Sequence, residues 1–335
     1  MGWDSEYYTT GVWASAASRA ALVALITGKP VEEVEVLIPV GRRVILPVET
    51  LYVGCGRAEV CAVKVSPEAD DVTHGARIVA EATFSPCGVV VEGGSGIGVI
   101  TKPGLKLPVG EKAINPVPRY YILKNLAEVL RDFRIDDGVR VVISVEDGES
   151  IAKKTINPKL GIVGGVSILG TKGTVIPFST KSFMDSILTE LSVARASGID
   201  VVVLAPGRDS MEYARSVMRQ LPPEAFVMVG DYIYFAAKHA SKMGFSSIHL
   251  FAQPGKMAKV AYGFKNTHAK YGSVSMEWLA KALGLPEVAC CNTVAEAWAI
   301  SKERWGVLEA LAASRLSQWT GCCAQAHLVP PESCG

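Results

Sequence analysis

An excess of charge of one sign is missing from this chain. Its 34 lysines and arginines face 33 aspartates and glutamates over 335 residues, a formal net charge of +1 at pH 7. Nucleic-acid binding usually goes with a strong basic excess, so no such partner is expected, although a local basic pocket remains compatible with the total. Long apolar runs are missing too. The most apolar helical stretch, 12–27, is about 16 residues long and carries Arg19, too short and too polar to span a bilayer, so no membrane association is expected. The opening Met1-Gly2-Trp3-Asp4-Ser5-Glu6 is acidic, where a secretory leader is basic and then apolar. Cysteine is present at eight positions, but Cys290-Cys291 and Cys322-Cys323 are neighbours, a poor arrangement for a disulfide framework. A reduced, cytoplasmic protein is the expectation. Cys322-Cys323 with His327 lacks the second half of a zinc site, so no metal is expected and the end of the chain reads as a flexible tail. There is no H-E-x-x-H, no Ser-His-Asp signature, no Walker A motif and no G-x-G-x-x-G, and hydrolase chemistry is not indicated. Internal repeats and low-complexity tracts are absent as well.

Glycine and proline are not in short supply. Gly93-Gly94-Ser95-Gly96-Ile97-Gly98 places four glycines in six residues, and Pro103, Pro108, Pro116 and Pro118 stiffen the stretch after them. Glycine is required where φ is positive or where something must lie against bare backbone, so 93–119 reads as an ordered loop built for close approach. Hydrophobic residues make up 49% of the chain, enough for sizeable cores, and single cores rarely grow past roughly 250–300 residues. Two domains are therefore expected.

A helix over 12–27, capped by Thr9 or Thr10 and stopped by Gly28 and Pro30, opens the chain; its first half is rich in alanine and serine. Strand patterns come next at 34–40, 43–48, 59–65, 76–84, 89–92 and 139–145, with one helix at 119–133. This predicts a two-layer α+β domain over 1–157. Beyond it, a strand over 162–169 starts an alternation with strands at 201–204, 226–229 and 248–251. The helices between and after them fall at 182–196, 210–219, 232–243 and 256–264. That alternation predicts an α/β Rossmann-like domain with a mostly parallel sheet over 158–335, finished by helices at 274–283 and 294–316.

Ligands of open α/β sheets gather at the carboxyl ends of the strands. Three loops are candidates. The turn Gly170-Thr171-Lys172-Gly173 offers backbone N–H groups and a lysine to an anion, or is a structural turn. Gly207-Arg208-Asp209 and Gly230-Asp231 close the next strands, with Asp231 suited either to a ribose hydroxyl or to a helix cap. His268, at the end of Gly263-Phe264-Lys265-Asn266-Thr267-His268, is either a proton acceptor near neutral pH, an axial ligand, or a surface cap. Lys102, Lys106, Arg119, Lys153, Lys154, Lys172, Lys256 and Lys259 would suit a polycarboxylate if they converge and are otherwise a solvated surface.

Several segments, in order along nearly the whole chain, resemble the CbiD family, the cobalt-precorrin-5B (C1)-methyltransferases of anaerobic cobalamin synthesis. They are Tyr8-Thr9-Thr10-Gly11, Asp71-Val72-Thr73-His74-Gly75-Ala76, the block 98–119 with its Thr-Lys-Pro-Gly-Leu and Ala-Ile-Asn-Pro-Val-Pro-Arg runs, the stretch 157–171, Gly255-Lys256-Met257-Ala258-Lys259, and Asn266-Thr267-His268. The chain departs from the family pattern at Val12-Trp13, Asp231, Ala269 and Ser273.

The resemblance implies methyl transfer from S-adenosylmethionine to C1 of cobalt-precorrin-5B, giving cobalt-precorrin-6A, with cobalt present only as part of the substrate. The methyl donor is expected on Gly164, Gly165, Gly170, Thr171, Gly173, Gly230 and Asp231. The macrocycle is expected on Gly96, Gly98, Lys102, Asn115, Arg119, Lys256, Asn266 and Thr267, and His268 or Asp231 is the candidate proton acceptor. A nicotinamide-dependent oxidoreductase and a non-catalytic corrinoid-binding protein are the rival readings. A homo-oligomer and association with other enzymes of cobalamin synthesis are both compatible with the sequence.

Overall fold

The computed structural model describes residues 7–66, 71–86, 88–175, 179–300 and 302–331. The acidic start, 1–6, lies outside them. The chain forms two compact units, Met1–Ser179 and Thr180–Gly335.

The first unit runs β1 (Tyr7–Tyr8), α1 (Thr10–Thr27), β2 (Glu33–Leu37), β3 (Arg43–Pro47), β4 (Glu49–Gly54), β5 (Arg57–Val63), β6 (Arg77–Ser85), β7 (Val89–Gly93) and β8 (Val99–Ile100). It continues with α2 (Pro116–Phe133), β9 (Gly138–Val145), α3 (Gly148–Ala152), β10 (Ile162–Val163) and β11 (Thr174–Val175). Five strands pair in the order β4-β5-β6-β9-β7, antiparallel except for β7 beside β9. Alternation along β6 and β9 sends Ile78, Ala80, Ala82, Val139, Val141 and Ile143 into one core with α1 and α2. Helix α1 is buried on nearly every side, and its alanines and serines let it lie close to both sheet and α2. A Cβ on Gly11 would come within 2.8 Å of Pro118. By length and composition α1 could cross a membrane, but 78% of it is buried inside the fold. It ends as its sequence predicts, with Gly28 left-handed (φ +66°) and donating to the Ala24 carbonyl. Thr9 occupies the N-cap position without a side-chain bond; Thr10 Oγ1 instead accepts from Leu169 N at 2.9 Å.

The 158–179 segment belongs to this first unit, which corrects the expected domain boundary after 157. Its pairings explain why. Strand β10 runs antiparallel to β8, Val166 and Ile168 bridge to Ile97 and Ile114, and β11 pairs with β1. The expected strand 162–169 is thus a two-residue strand followed by bridges, and it contributes nothing to the parallel sheet. The turn 170–173 does not follow a strand of that sheet.

The second unit runs α4 (Thr180–Ala196), β12 (Val201–Ala205), α5 (Arg208–Val217), β13 (Phe226–Met228), α6 (Ile233–Lys242), β14 (Ser247–Ala252), α7 (Pro254–Tyr262), α8 (Met276–Leu283), α9 (Val294–Ile300), α10 (Gly306–Thr320) and β15 (Cys323–Leu328). Its four strands are all parallel, in the order β13-β12-β14-β15. Val202, Leu204, Ile248 and Leu250 face the larger core with α4, α6, α7, α8 and α10, while Val203, Ala205 and Phe251 face a smaller one that includes Met211 and Ala214 of α5. The mixed α/β architecture with a parallel sheet agrees with the expectation from sequence. The expected tail does not: β15 pairs with β14 from Ser247↔Cys323 to Ala252↔Leu328. The expected helix 294–316 is two helices, with a 3₁₀ turn at Glu303–Trp305 between them.

Candidate functional site

Strand order decides where the second unit can hold a ligand. From β12 the chain passes to β13 on one side, then crosses back to β14 on the other, so the order reverses between β12 and β14. The crevice at the carboxyl ends flanking such a reversal is where open α/β sheets bind small molecules. Across it, Gln253 Nε2 donates to Asp209 Oδ2 at 3.2 Å. A Cβ on Gly207, the N-cap of α5, or on Gly255, in the first turn of α7, would meet nothing within 4 Å, so both helix starts have open space above their backbone.

Beside this crevice the loops after β13 and α7 are pinned together. Gly230 turns the backbone through φ +53°, with the Phe183 ring 3.1 Å from where a Cβ would stand. The turn presents Asp231, whose Oδ1 accepts from Lys256 Nζ and from Thr267 Oγ1, the latter at 2.7 Å. Thr267 N donates to the Asp231 carbonyl at 3.2 Å, and Lys259 Nζ donates to the Thr267 carbonyl at 3.0 Å. Thr267 is 1% exposed, with its amide, hydroxyl and carbonyl all bonded. Burial opposes ionisation of Asp231, but the hydrogen bonds from Lys256 and Thr267 outweigh it and hold the carboxyl below its ordinary range. Burial, together with the neighbouring Lys256, pushes the Lys259 ammonium down.

His268 is exposed and caps the 3₁₀ turn Ala269–Tyr271, its Nδ1 accepting from Lys270 N at 3.1 Å while its own N–H donates to Asn266 Oδ1 at 2.9 Å. A neutral imidazole has one acceptor nitrogen, and here it is engaged by backbone. As placed, the ring is a cap bonded through Nδ1. The arrangement therefore brings together Asp231, Lys256, Asn266, Thr267 and His268 from the sequence-predicted set. It adds Lys259, which the sequence marked as one basic residue among many and as the end of the 255–259 run without a site role, and Gln253, for which the sequence carried no signal.

The glycine loop of the first unit has a different meaning from the one its composition suggested. A Cβ on Gly96 (φ +68°) would stand 1.9 Å from the Val145 carbonyl oxygen, one on Gly98 2.4 Å from Ile162, and one on Gly165 2.2 Å from the Gly96 oxygen. These glycines let backbone pack on backbone, so ligand approach is not what requires them. A Cβ on Gly170 would stand 2.1 Å from the Thr9 side chain, and one on Gly173 2.7 Å from the Pro39 ring. Gly164 (φ +81°) has open space, and Thr171 is exposed. Arg119 Nη1 donates to the Val91 carbonyl at 2.9 Å, Asn115 N to that of Ile168 at 2.9 Å, and the Lys102 side chain lies over Gly161. The expected donor residues thus divide between the two units, 164–173 in the first and 230–231 in the second.

The Asp71 motif is likewise an anchor. Asp71 accepts from the buried Lys64 ammonium at 2.5 Å and from Thr73 Oγ1 at 2.6 Å, and His74 Nδ1 accepts from Ser66 N at 3.0 Å. Burial works against the charge, yet the bonds from Lys64 and Thr73 hold the Asp71 carboxyl far below the usual carboxylate range. Among the described residues no group of three or more His, Cys, Asp or Glu could hold a metal ion.

The second unit is thus a parallel, helix-flanked sheet with a polar cluster beside its carboxyl edge. The CbiD family profile matches residues 5–177. The cobalt-precorrin-5B C(1)-methyltransferase of Priestia megaterium is 42% identical over 278 residues, 83% of this chain and 76% of that protein. The protein of the same name from Geobacillus thermodenitrificans is 45% identical over 82% of this chain and 74% of its own. A crystal structure of the cobalamin biosynthesis protein cbiD from Archaeoglobus fulgidus shares 32% identity over 84% of each chain, with a TM-score of 0.41. This chain belongs to the CbiD family.

Proposed function

We propose that this chain is an enzyme of cobalamin synthesis that transfers a methyl group from S-adenosylmethionine to C1 of cobalt-precorrin-5B. The observation that carries the reading is its 42–45% identity, over more than four fifths of its length, to relatives that bear that name. An electron pair of the macrocycle forms the bond from C1 to the methyl carbon as the bond from that carbon to the sulfonium breaks; the donor leaves as a neutral thioether and its positive charge passes to the macrocycle. Such a donor is already activated, so the protein's task is in-line positioning and exclusion of water.

The donor's site in this reading is the crevice between the carboxyl ends of β12 and β14. Gly207 and Gly255 leave room there for a ligand against the helix starts. Lys256 and Thr267 both use Oδ1 of Asp231, and we assign Oδ2 to a ribose hydroxyl. Asp231, held ionised by its partners, acts as an orienting group; it is a poor proton acceptor. Asn266, Thr267 and His268 border the same site.

The test is a turnover assay with cobalt-precorrin-5B and methyl-labelled S-adenosylmethionine, read by mass and by label position. Label on C1 is the expected outcome. Binding of the macrocycle without label transfer would replace this reading with a corrinoid-binding protein.

A further inference from the structure

Charge is balanced over the chain but not around α7. From Tyr232 to Met276 there are six lysines and no aspartate or glutamate. From just outside this stretch Asp209 accepts from Gln253 and Glu277 from Ser275, and among the described residues Asp231 is the carboxylate that pairs with a lysine, Lys256. Lys259, one turn further along α7, makes no ion pair among the described residues; its ammonium donates to the Thr267 carbonyl at 3.0 Å and lies 5.6 Å from the centroid of the Phe264 ring. Two ammonium groups thus share one carboxylate in a partly buried setting, and Lys256 repels Lys259 enough, together with burial, to disfavour its charge. The other two lysines of the following loop are turned to rings, Lys265 over Tyr234 at 4.9 Å and Lys270 over Tyr271 at 5.0 Å.

We propose that Lys256 and Lys259 together form a binding site for a carboxylate group of the ligand. A second carboxylate would balance the pair, as the first half of α7 contributes the partial positive charge of a helix start on the same side. Gly255, in the first turn, leaves the approach open. The identification of the carboxylate's owner rests on the methyltransferase reading, in which both the amino-acid end of the methyl donor and the rim of the macrocycle carry this group. The pair itself follows from the charge count and geometry alone.

Competitive acetylation of the full-length protein, followed lysine by lysine by peptide mass spectrometry, tests this with three probes: tricarballylate, S-adenosylhomocysteine and cobalt-precorrin-5B. At saturating probe, acetylation of Lys256 and Lys259 is expected to slow about tenfold, with Lys265 and Lys270 unchanged. In Lys259→Gln, probe affinity is expected to fall about 10- to 100-fold, the loss of one charge-assisted bond. Protection by S-adenosylhomocysteine that its decarboxylated analogue does not give assigns the carboxylate to the donor. Protection by cobalt-precorrin-5B alone assigns it to the macrocycle. Protection by none of the three overturns the site, and a successful turnover assay would then leave the methyltransferase reading standing without it. Protection by tricarballylate in a chain that transfers no methyl group keeps the site and removes that reading.

Discussion

Two aspartates singled out by their sequence neighbours are doing different jobs. Asp231 sits in an opening between loops at a sheet edge, with one oxygen taken. Asp71 is enclosed by Lys64, 3% exposed, and Thr73, and it closes a turn of the first unit. Nothing in the runs Asp-Val-Thr-His-Gly and Gly-Asp separates these roles, because both offer a short acidic side chain near glycine; the distinction lies in what the fold brings to each carboxylate. Removing one partner of a buried ion pair strands the other. Lys64→Met is therefore expected to destabilise the first unit by about 3 kcal/mol, measured by urea unfolding, and Lys64→Met with Asp71→Asn to recover part of the loss. Equal stability of Lys64→Met and the parent would sink the account of Asp71 as an anchor.

Elements differed in how openly their sequence declared them. Helix α1 carries its own stop, Gly28, and a run of small buried residues, so its bounds were readable to within a turn. Strand β15 was not readable. Cys-Ala-Gln-Ala-His-Leu has no β-branched residue and no turn signal, and its only reason to be extended is the vacant edge of β14 and the face of α10. The glycine loop is recognisable from its sequence as an ordered loop, but not what lies against it: bare backbone is needed equally by a ligand and by another strand, and here it is strand. Gly96→Ala combines a left-handed φ with a Cβ 1.9 Å from a carbonyl oxygen, and is expected to cost at least about 3 kcal/mol. Gly41→Ala, left-handed too (φ +83°) but in open space, is expected to cost about 1 kcal/mol. Thermal melts of the two variants compare them directly, and similar losses would refute the packing explanation.

At the scale of the whole molecule, acid should act on the two units in different ranges. His249 on β14 and His327 on β15 stack with Nδ1 and Nε2 3.0 Å apart. Burial holds both below the ordinary histidine value, so the unfolded chain binds more protons, and the stabilisation they give is lost as pH falls through about 6.5. Asp71 is depressed as a carboxylate, so its contribution is present above about 3.9 and is lost only as pH falls below that. Urea midpoints followed between pH 7.5 and 5 by fluorescence of Trp278, Trp298, Trp305 and Trp319, all in the second unit, are expected to decline. The midpoint reported by Trp13, in the first unit, is expected to hold over the same range. His249→Phe should flatten the decline, and an unchanged slope would count against the histidine pair as its source. By itself the sequence determined the family, the mixed α/β architecture with a parallel sheet and most helix bounds, because those signals are local: caps, periodicity and runs of consecutive residues. Only the tertiary structure decided that 158–179 joins the first unit, that Cys323–Leu328 is a strand, and that Asp231 meets Thr267 from 36 residues away. Those outcomes depend on which backbone edges and charges find each other across the chain, and such pairings leave no periodic trace in the order of the residues.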